Sequence, residues 1–327
     1  MRSCYLFNQC SCNKTEHLYH LRRCEFQTSQ VLINMNITHA STSSIVTTVK
    51  GYYINHVICF QFNVLIIFSS TILNTTTVLA YWKSSQLRKK TSYFLIMLLS
   101  LSDLGTALGC SLFHSITLLR NMLGLENSSL TSPFIILTYV FSGMSYSILC
   151  VLNIERYLGI VHPLFHRKKV NKARVLKAIV LFWLGCLIVG SLILLDTQIG
   201  NFVLGTSMSL NLTILITIYV KIFLTGGGTA TKNFSGSGNT QLKAYLRKIK
   251  LAKSCLIVVG CSYVCFVPTA VMPFLPNGPF VNIVLRAWTA NLLFANSTVN
   301  SVIFFWRNKI LRNEAKLIFS QFVKRPQ

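Results

Sequence analysis

The stretch NIERYLGIVHPLF, residues 153–165, follows PFIILTYVFSGMSYSILCVL, residues 133–152, a run without one charged residue. Glu155 and Arg156 then arrive side by side. A helix needs about 20 mostly apolar residues to cross the hydrocarbon core of a bilayer. The run has that length, so the acid–base pair marks a membrane boundary. A partly dehydrated guanidinium needs a partner there, and the adjacent carboxylate supplies one. An all-α membrane protein is the expected fold.

Composition agrees. Of the 327 residues, 52% are hydrophobic and only 12% are charged, where a soluble domain averages about 25% charged. Mean hydropathy is +0.54. The formal charge of +24 could suggest nucleic acid, but a nucleic-acid binder gathers its cations on one soluble face. Here the cations sit in short loops between apolar runs, so no nucleic-acid partner is expected.

Seven spans are predicted, at 56–82, 92–119, 132–157, 175–195, 199–225, 246–275 and 281–306. Residues 1–24 have no apolar core, so a cleavable signal peptide is not expected and the first span would target the chain. Of the 31 basic residues, 24 lie in the tail or in and at the edges of the connections after spans 1, 3 and 5. By the positive-inside rule those segments are cytoplasmic and the N-terminus is extracellular, which fits a multi-pass protein of the plasma membrane. Sequons at Asn13, Asn36 and Asn127 fall on the predicted outer side and are glycosylation candidates. The expected organisation is an extracellular segment 1–54, a seven-span domain 55–306, and a cytoplasmic amphipathic helix with tail, 307–327. Leu311, Ala315, Ile318 and Phe322 recur at helical spacing beside Arg312 and Lys316, as in a short eighth helix lying on lipid.

With seven spans and this sidedness, the opening stretch resembles the rhodopsin-like (class A) G protein-coupled receptors. Their third span ends in Asp/Glu-Arg-Tyr followed by Pro-Leu, and this chain reads Glu155-Arg156-Tyr157, then Pro163-Leu164. The resemblance implies that the acid restrains Arg156 at rest and that Arg156 meets a heterotrimeric G protein when active. Tyr219 matches an inner tyrosine of span 5 and implies the same coupling role. Asp103 in LLSLSDLGTALGC is the one acidic residue well inside a span, where an ionisable group is costly and functional. The family's sodium positions fall on Asp103, Ser145, Asn296 and Asn300. Two readings stay open for them: an allosteric sodium ion, or a polar knot that holds helices together without one. Cys265-Phe266-Val267-Pro268 resembles the family's Cys-Trp-x-Pro, with Pro268 as hinge and Phe266 as its neighbouring switch. Asn300-Ser301-Val302-Ile303-Phe304 resembles Asn-Pro-x-x-Tyr, so Asn300 and Phe304 belong to the implied activation switch. No other cofactor is implied.

The chain also departs from the pattern. Thr131 replaces the span-3 cysteine, span 5 has Asn211 for its proline, Ser262 replaces an aromatic of span 6, and Ser301 and Phe304 replace the span-7 proline and tyrosine. The missing cysteine and proline, with a short second outer loop, are similar to the melanocortin, lysophospholipid, cannabinoid and adenosine receptors. The altered positions leave a second reading open, a seven-helix decoy or scaffold that no longer couples. A transporter or channel predicts more charges inside spans than Asp103 alone. An enzyme is not expected, because no nucleophile–base cluster, metal spacing or phosphate loop is present.

Thr138 stands where amine receptors carry a span-3 aspartate, which argues against an amine ligand. Thr138, Tyr139, Ser142, Thr269, Phe274 and Phe294 would line an outward pocket. Apolar walls with hydroxyls suit a lipid or a neutral small molecule, and a peptide remains an alternative. The same rings could equally be ordinary helix packing. Cys4, Cys10, Cys12 and Cys24 could form two disulfides in three connectivities, or Met35 could be the start of the chain.

Overall fold

The computed structural model describes residues 39–125, 128–195, 206, 210, 213, 216, 217, 220, 257, 258, 260–276, 278 and 280–323. These residues form helices and no strand. The chain divides into two units, 1–53 and 54–327; in the first, the described residues 39–53 are helical.

The helices are α1 (His39–Lys83), α2 (Thr91–Met122), α3 (Ser128–Val161), α4 (Pro163–Lys169), α5 (Lys172–Leu195), α6 (Gly260–Val271), α7 (Arg286–Arg307) and α8 (Lys309–Val323). Among the described residues, Lys50–Lys83, Thr91–Met122 and Ile136–Gly159 are each long and apolar enough to cross a membrane. α1 starts well before the expected residue 56 because residues 39–55 hold no proline and the backbone continues its ladder beyond the apolar run. The seventh span is helical from Phe280, in line with the expected start at 281, and runs into α7. Its first residues wind as a π-helical turn, Phe280–Leu285.

Burial runs opposite to that of a soluble protein. Leu65, Phe68 and Ile72 of α1 and Leu181, Leu184 and Ile188 of α5 face outward, while Asn63, Ser70, Asn74, Asp103 and Ser111 are buried. Lipid satisfies the apolar exterior, and small polar side chains hold helix to helix within. Two apolar layers flank the buried polar one. One joins Leu95, Leu99, Ile148, Leu152, Ile303 and Phe304. The other joins Ile66, Cys110, Phe266, Leu293 and Phe294.

Helix ends are set by local chemistry. Pro163 takes the first position of α4, where its missing N–H costs nothing. The Asn171 side chain accepts from Arg174 N at 2.9 Å and caps α5. Asn308 turns the chain between α7 and α8; its Oδ1 accepts from Leu311 N at 3.3 Å and from the Tyr93 hydroxyl at 3.1 Å. Leu311, Ala315 and Ile318 of α8 are buried, in the helical register expected from the sequence. Glu314 of α8 accepts from the Ser84 hydroxyl at 3.0 Å.

α2 and α3 approach closely at Gly105, where α2 widens into the π-helical turn Thr106–Ser111. A Cβ at Gly105 would stand 2.8 Å from Phe141 Cζ and nearer still to the ring edge. The Phe141 backbone cannot retreat freely, because its carbonyl accepts from Ser102 Oγ at 3.0 Å. Gly105→Ala is therefore expected to destabilise the bundle by about 1–3 kcal/mol, the range for overpacking a well-filled interface. Thermal unfolding of the purified variant checks this, and an unchanged midpoint would refute it.

Candidate functional site

At the α3 terminus, Glu155 is 6% exposed and has three partners. The Ser92 hydroxyl of α2 stands 3.0 Å from each carboxylate oxygen. His166 Nε2 of α4 lies 2.9 Å from Oε1. Arg156 Nε lies 3.5 Å from Oε2. The carboxylate is thus held by α2 and α4 as well as by its neighbour, and Arg156 is its looser partner. Tyr157 stacks edge-on against His162 at 5.8 Å. Sequence reasoning found Glu155, Arg156 and Tyr157 but missed Ser92 and His166. His166 sits in HRKK, which reads as plain positive charge.

The polar layer centres on Asp103, 1% exposed. Ser145 Oγ of α3 donates to Oδ1 at 2.9 Å, and Asn300 Nδ2 of α7 donates to Oδ2 at 3.4 Å. Ser297, not anticipated from sequence, is buried one helical turn before Asn300. The Ser262 hydroxyl of α6 donates to Asn300 Oδ1 at 3.3 Å. A relay of side chains therefore joins α3, α2, α7 and α6 in that order. Asn296, expected in this group, is buried with its Oδ1 lacking a hydrogen-bond partner among the described residues. Asn74 sits beside the layer: its Nδ2 donates to Ser70 O at 2.9 Å and to Ser297 O at 3.3 Å. Its Oδ1 accepts from Ser301 Oγ at 2.6 Å. Thus Ser301 bonds α7 to α1.

Above this layer, Phe266 packs edge-on against Tyr146 at 5.3 Å. Pro268 lies in α6, which continues to Val271 and then tightens into the turn Met272–Phe274. Phe304 is buried in the apolar layer nearer Glu155. Of the expected pocket residues, Thr138, Ser142 and Thr269 have buried hydroxyls with no partner among the described residues. Phe294 is fully buried against His114, 5.7 Å between rings, and Phe274 is exposed. A further polar group joins α1 to α2: Asn63 Nδ2 donates to Ser115 Oγ at 2.9 Å, and Ser111 Oγ donates to Asn63 Oδ1 at 2.7 Å.

Tyr219, Asn13, Asn36, Asn127, the four N-terminal cysteines and the Tyr139 side chain lie outside the described residues.

Residues 73–203 match the family described as 7 transmembrane receptor (rhodopsin family). A stretch of 111 residues, 34% of the chain, is 31% identical to the 5-hydroxytryptamine receptor 2B of Dichotomyctere fluviatilis. That match spans 23% of the relative's length. The family match holds Asn74, Asp103, Ser145, Glu155 and Arg156. Beyond it, Asn300 of α7 and Ser262 of α6 join the same relay. Over residues 73–203 the chain is thus similar to the rhodopsin family of seven-transmembrane receptors, and its helical fold with apolar spans agrees with that likeness.

Proposed function

We propose that this receptor converts binding of an extracellular ligand into activation of a heterotrimeric G protein, with its N-terminus outside and the Glu155 end in the cytoplasm. The observation that carries the reading is the Glu155–Arg156 pair at the end of α3, with the acid held by Ser92 and His166 and the cation on the looser contact. A guanidinium held by a single 3.5 Å contact can leave without stranding its buried partner. The basic loops support the sidedness.

A lipid-like or neutral ligand fits best. The similar protein is named a 5-hydroxytryptamine receptor, and an amine calls for an anionic partner. This chain has Thr138 at the expected position, and Asp103 and Glu155 are both engaged elsewhere. The buried hydroxyls of Ser142 and Thr269 suit a molecule with a few hydrogen-bonding groups on an apolar body. The orphaned Oδ1 of Asn296, one helical turn before Asn300, suits a sodium ion, a hard cation that takes oxygen ligands.

The test is expression of the full chain with G protein activation sensors, first without ligand and then against a lipid set and serotonin. Activation by a lipid with none by serotonin is the expected result. Serotonin activation would overturn the ligand reading. Silence throughout, with surface expression confirmed and no binding of purified G protein, would favour the uncoupled decoy.

The α4 contact makes a separate prediction. His166→Phe keeps a ring but removes the nitrogen facing Glu155. One hydrogen bond contributes about 0.5–1.5 kcal/mol, so ligand-independent signalling should rise roughly twofold to tenfold at equal surface density. A fall in signalling would mean that His166 serves the active state instead.

A further inference from the structure

We propose that the Ser262 hydroxyl is the latch that holds α6 against α7 at rest, and that through Asn300 it ties the position of α6 to Asp103. The inference rests on the reading above only for what a displaced α6 does to signalling.

Little else holds α6. Val258, just before it, and Cys261 pack into the apolar layer of Leu152 and Phe304, and Phe266 packs into that of Phe294. Lipid tails are as apolar as these side chains, so such contacts resist displacement only weakly, and the polar bonds between helices decide. Among the described residues, α6 side chains make one hydrogen bond to the bundle, from Ser262 Oγ to Asn300 Oδ1 at 3.3 Å. The Thr269 hydroxyl has no partner among them. Pro268 adds freedom. It has no N–H for the Val264 carbonyl, and its ring crowds that turn. Val264 is 65% exposed, so the weakened turn faces outward. The segment that carries Ser262 can therefore turn about Pro268 once a single bond opens.

That bond is directional. Asp103 accepts from Ser145 Oγ at 2.9 Å and from Asn300 Nδ2 at 3.4 Å. An amide whose nitrogen is committed to a carboxylate presents its oxygen to the other side. Here that oxygen meets a donor on α6. The donors of Ser145, Asn300 and Ser262 thus all lead to one carboxylate, an arrangement whose members strengthen one another in a low dielectric. Ser262, Asn300 and Asp103 are all buried. Whatever turns Asn300 away from Asp103 also removes the acceptor that Ser262 uses. Ser262 is therefore a positioning residue, acting on α6 through Asn300. Ser111 makes a useful contrast. Its hydroxyl donates to Asn63 Oδ1 at 2.7 Å and joins α2 to α1. α2 is held besides by Ser92, Ser102 and Asp103, each bonded to α3.

The test uses the full chain in nanodiscs, with trifluoromethyl-phenylalanine in place of Gly260. This position is exposed on α6, and an added Cβ there meets nothing within 4 Å. Fluorine magnetic resonance then reports the position of α6 without ligand or G protein. A major and a minor resonance are expected. Ser262→Val and Ser262→Thr have one shape and differ by the hydroxyl. Ser262→Val should raise the minor resonance about twofold to tenfold, the loss of one hydrogen bond. The smaller Ser262→Ala should agree with it, and Ser262→Thr should keep the parent spectrum. Asp103→Asn should raise the minor resonance too, and combining it with Ser262→Val should add nothing, because both act on one bond. Ser111→Ala should leave the spectrum unchanged. Equal spectra for Ser262→Val and Ser262→Thr, an equal rise in Ser111→Ala, or additive effects of Asp103→Asn and Ser262→Val would each overturn the proposal. Ligand-independent G protein activation, measured on the same samples, should follow the minor resonance. A resonance that shifts as expected with no activation would uphold the latch and refute the coupling.

Discussion

Replacing Arg156 by alanine is expected to abolish G protein activation while leaving the receptor folded at the cell surface. Truncating one partner of a buried charge pair ordinarily destabilises a protein, because the other charge is left stranded. Here Glu155 is not stranded. Ser92 meets both of its oxygens at 3.0 Å and His166 meets Oε1 at 2.9 Å. The structural loss is confined to one 3.5 Å contact. The functional loss is larger, since the guanidinium offers donors that no nearby described residue replaces at the α3 terminus. Loss of such a charged contact with a partner costs about 2–5 kcal/mol, at least about thirtyfold in coupling. The measurement is sensor response per receptor counted by surface labelling. Full signalling by Arg156→Ala would place coupling elsewhere on the inner face. Retained expression with no signal is the expected outcome, opposite in direction to His166→Phe.

What the sequence disclosed and what it withheld divide along physical lines. Among the described residues, the spans at Lys50–Lys83, Thr91–Met122 and Ile136–Gly159 were legible because lipid obliges every backbone group to bond within its own helix, which leaves hydropathy as a direct record of the fold. Asp103 and Arg156 were legible because charge inside or at the edge of a span is too costly to be incidental. Serines carry no such mark. Ser92 lies 63 residues from Glu155, and nothing in its neighbourhood announces the contact. Ser262 and Ser301 were read as losses of an aromatic and a proline. In the fold both hydroxyls gain partners, Asn300 and Asn74. A substitution that removes a family feature can install a different bond, and only the packing of neighbouring helices discloses it. α1 outran its apolar run because hydropathy reports where lipid begins, not where a helix does.

Asp103→Asn is expected to remove all dependence of the receptor on sodium. Asp103 is buried and accepts from Ser145 Oγ and Asn300 Nδ2. An asparagine fills the same volume but brings one donor in place of an acceptor. Turned toward Asn300, its amide would set donor against donor. Turned toward Ser145, it would reverse a hydroxyl that now donates. Either arrangement loses a hydrogen bond, and the carboxylate charge that a cation requires is gone. The unpartnered Asn296 Oδ1 then has neither ion nor donor. A ligand that binds only the folded state stabilises it by RT ln(1 + [L]/Kd), about 1.4 kcal/mol at tenfold excess over Kd. For a chain of this size that is a rise of roughly 2–4 °C in the unfolding midpoint. The parent protein should show this rise when sodium replaces choline at constant ionic strength, and Asp103→Asn should show none. A parent indifferent to sodium would establish the polar-knot reading. In that case the hydrogen bonds of Ser145, Asn300 and Ser262 would themselves hold α3, α2, α7 and α6, and Asp103→Asn would lower the midpoint equally in both salts.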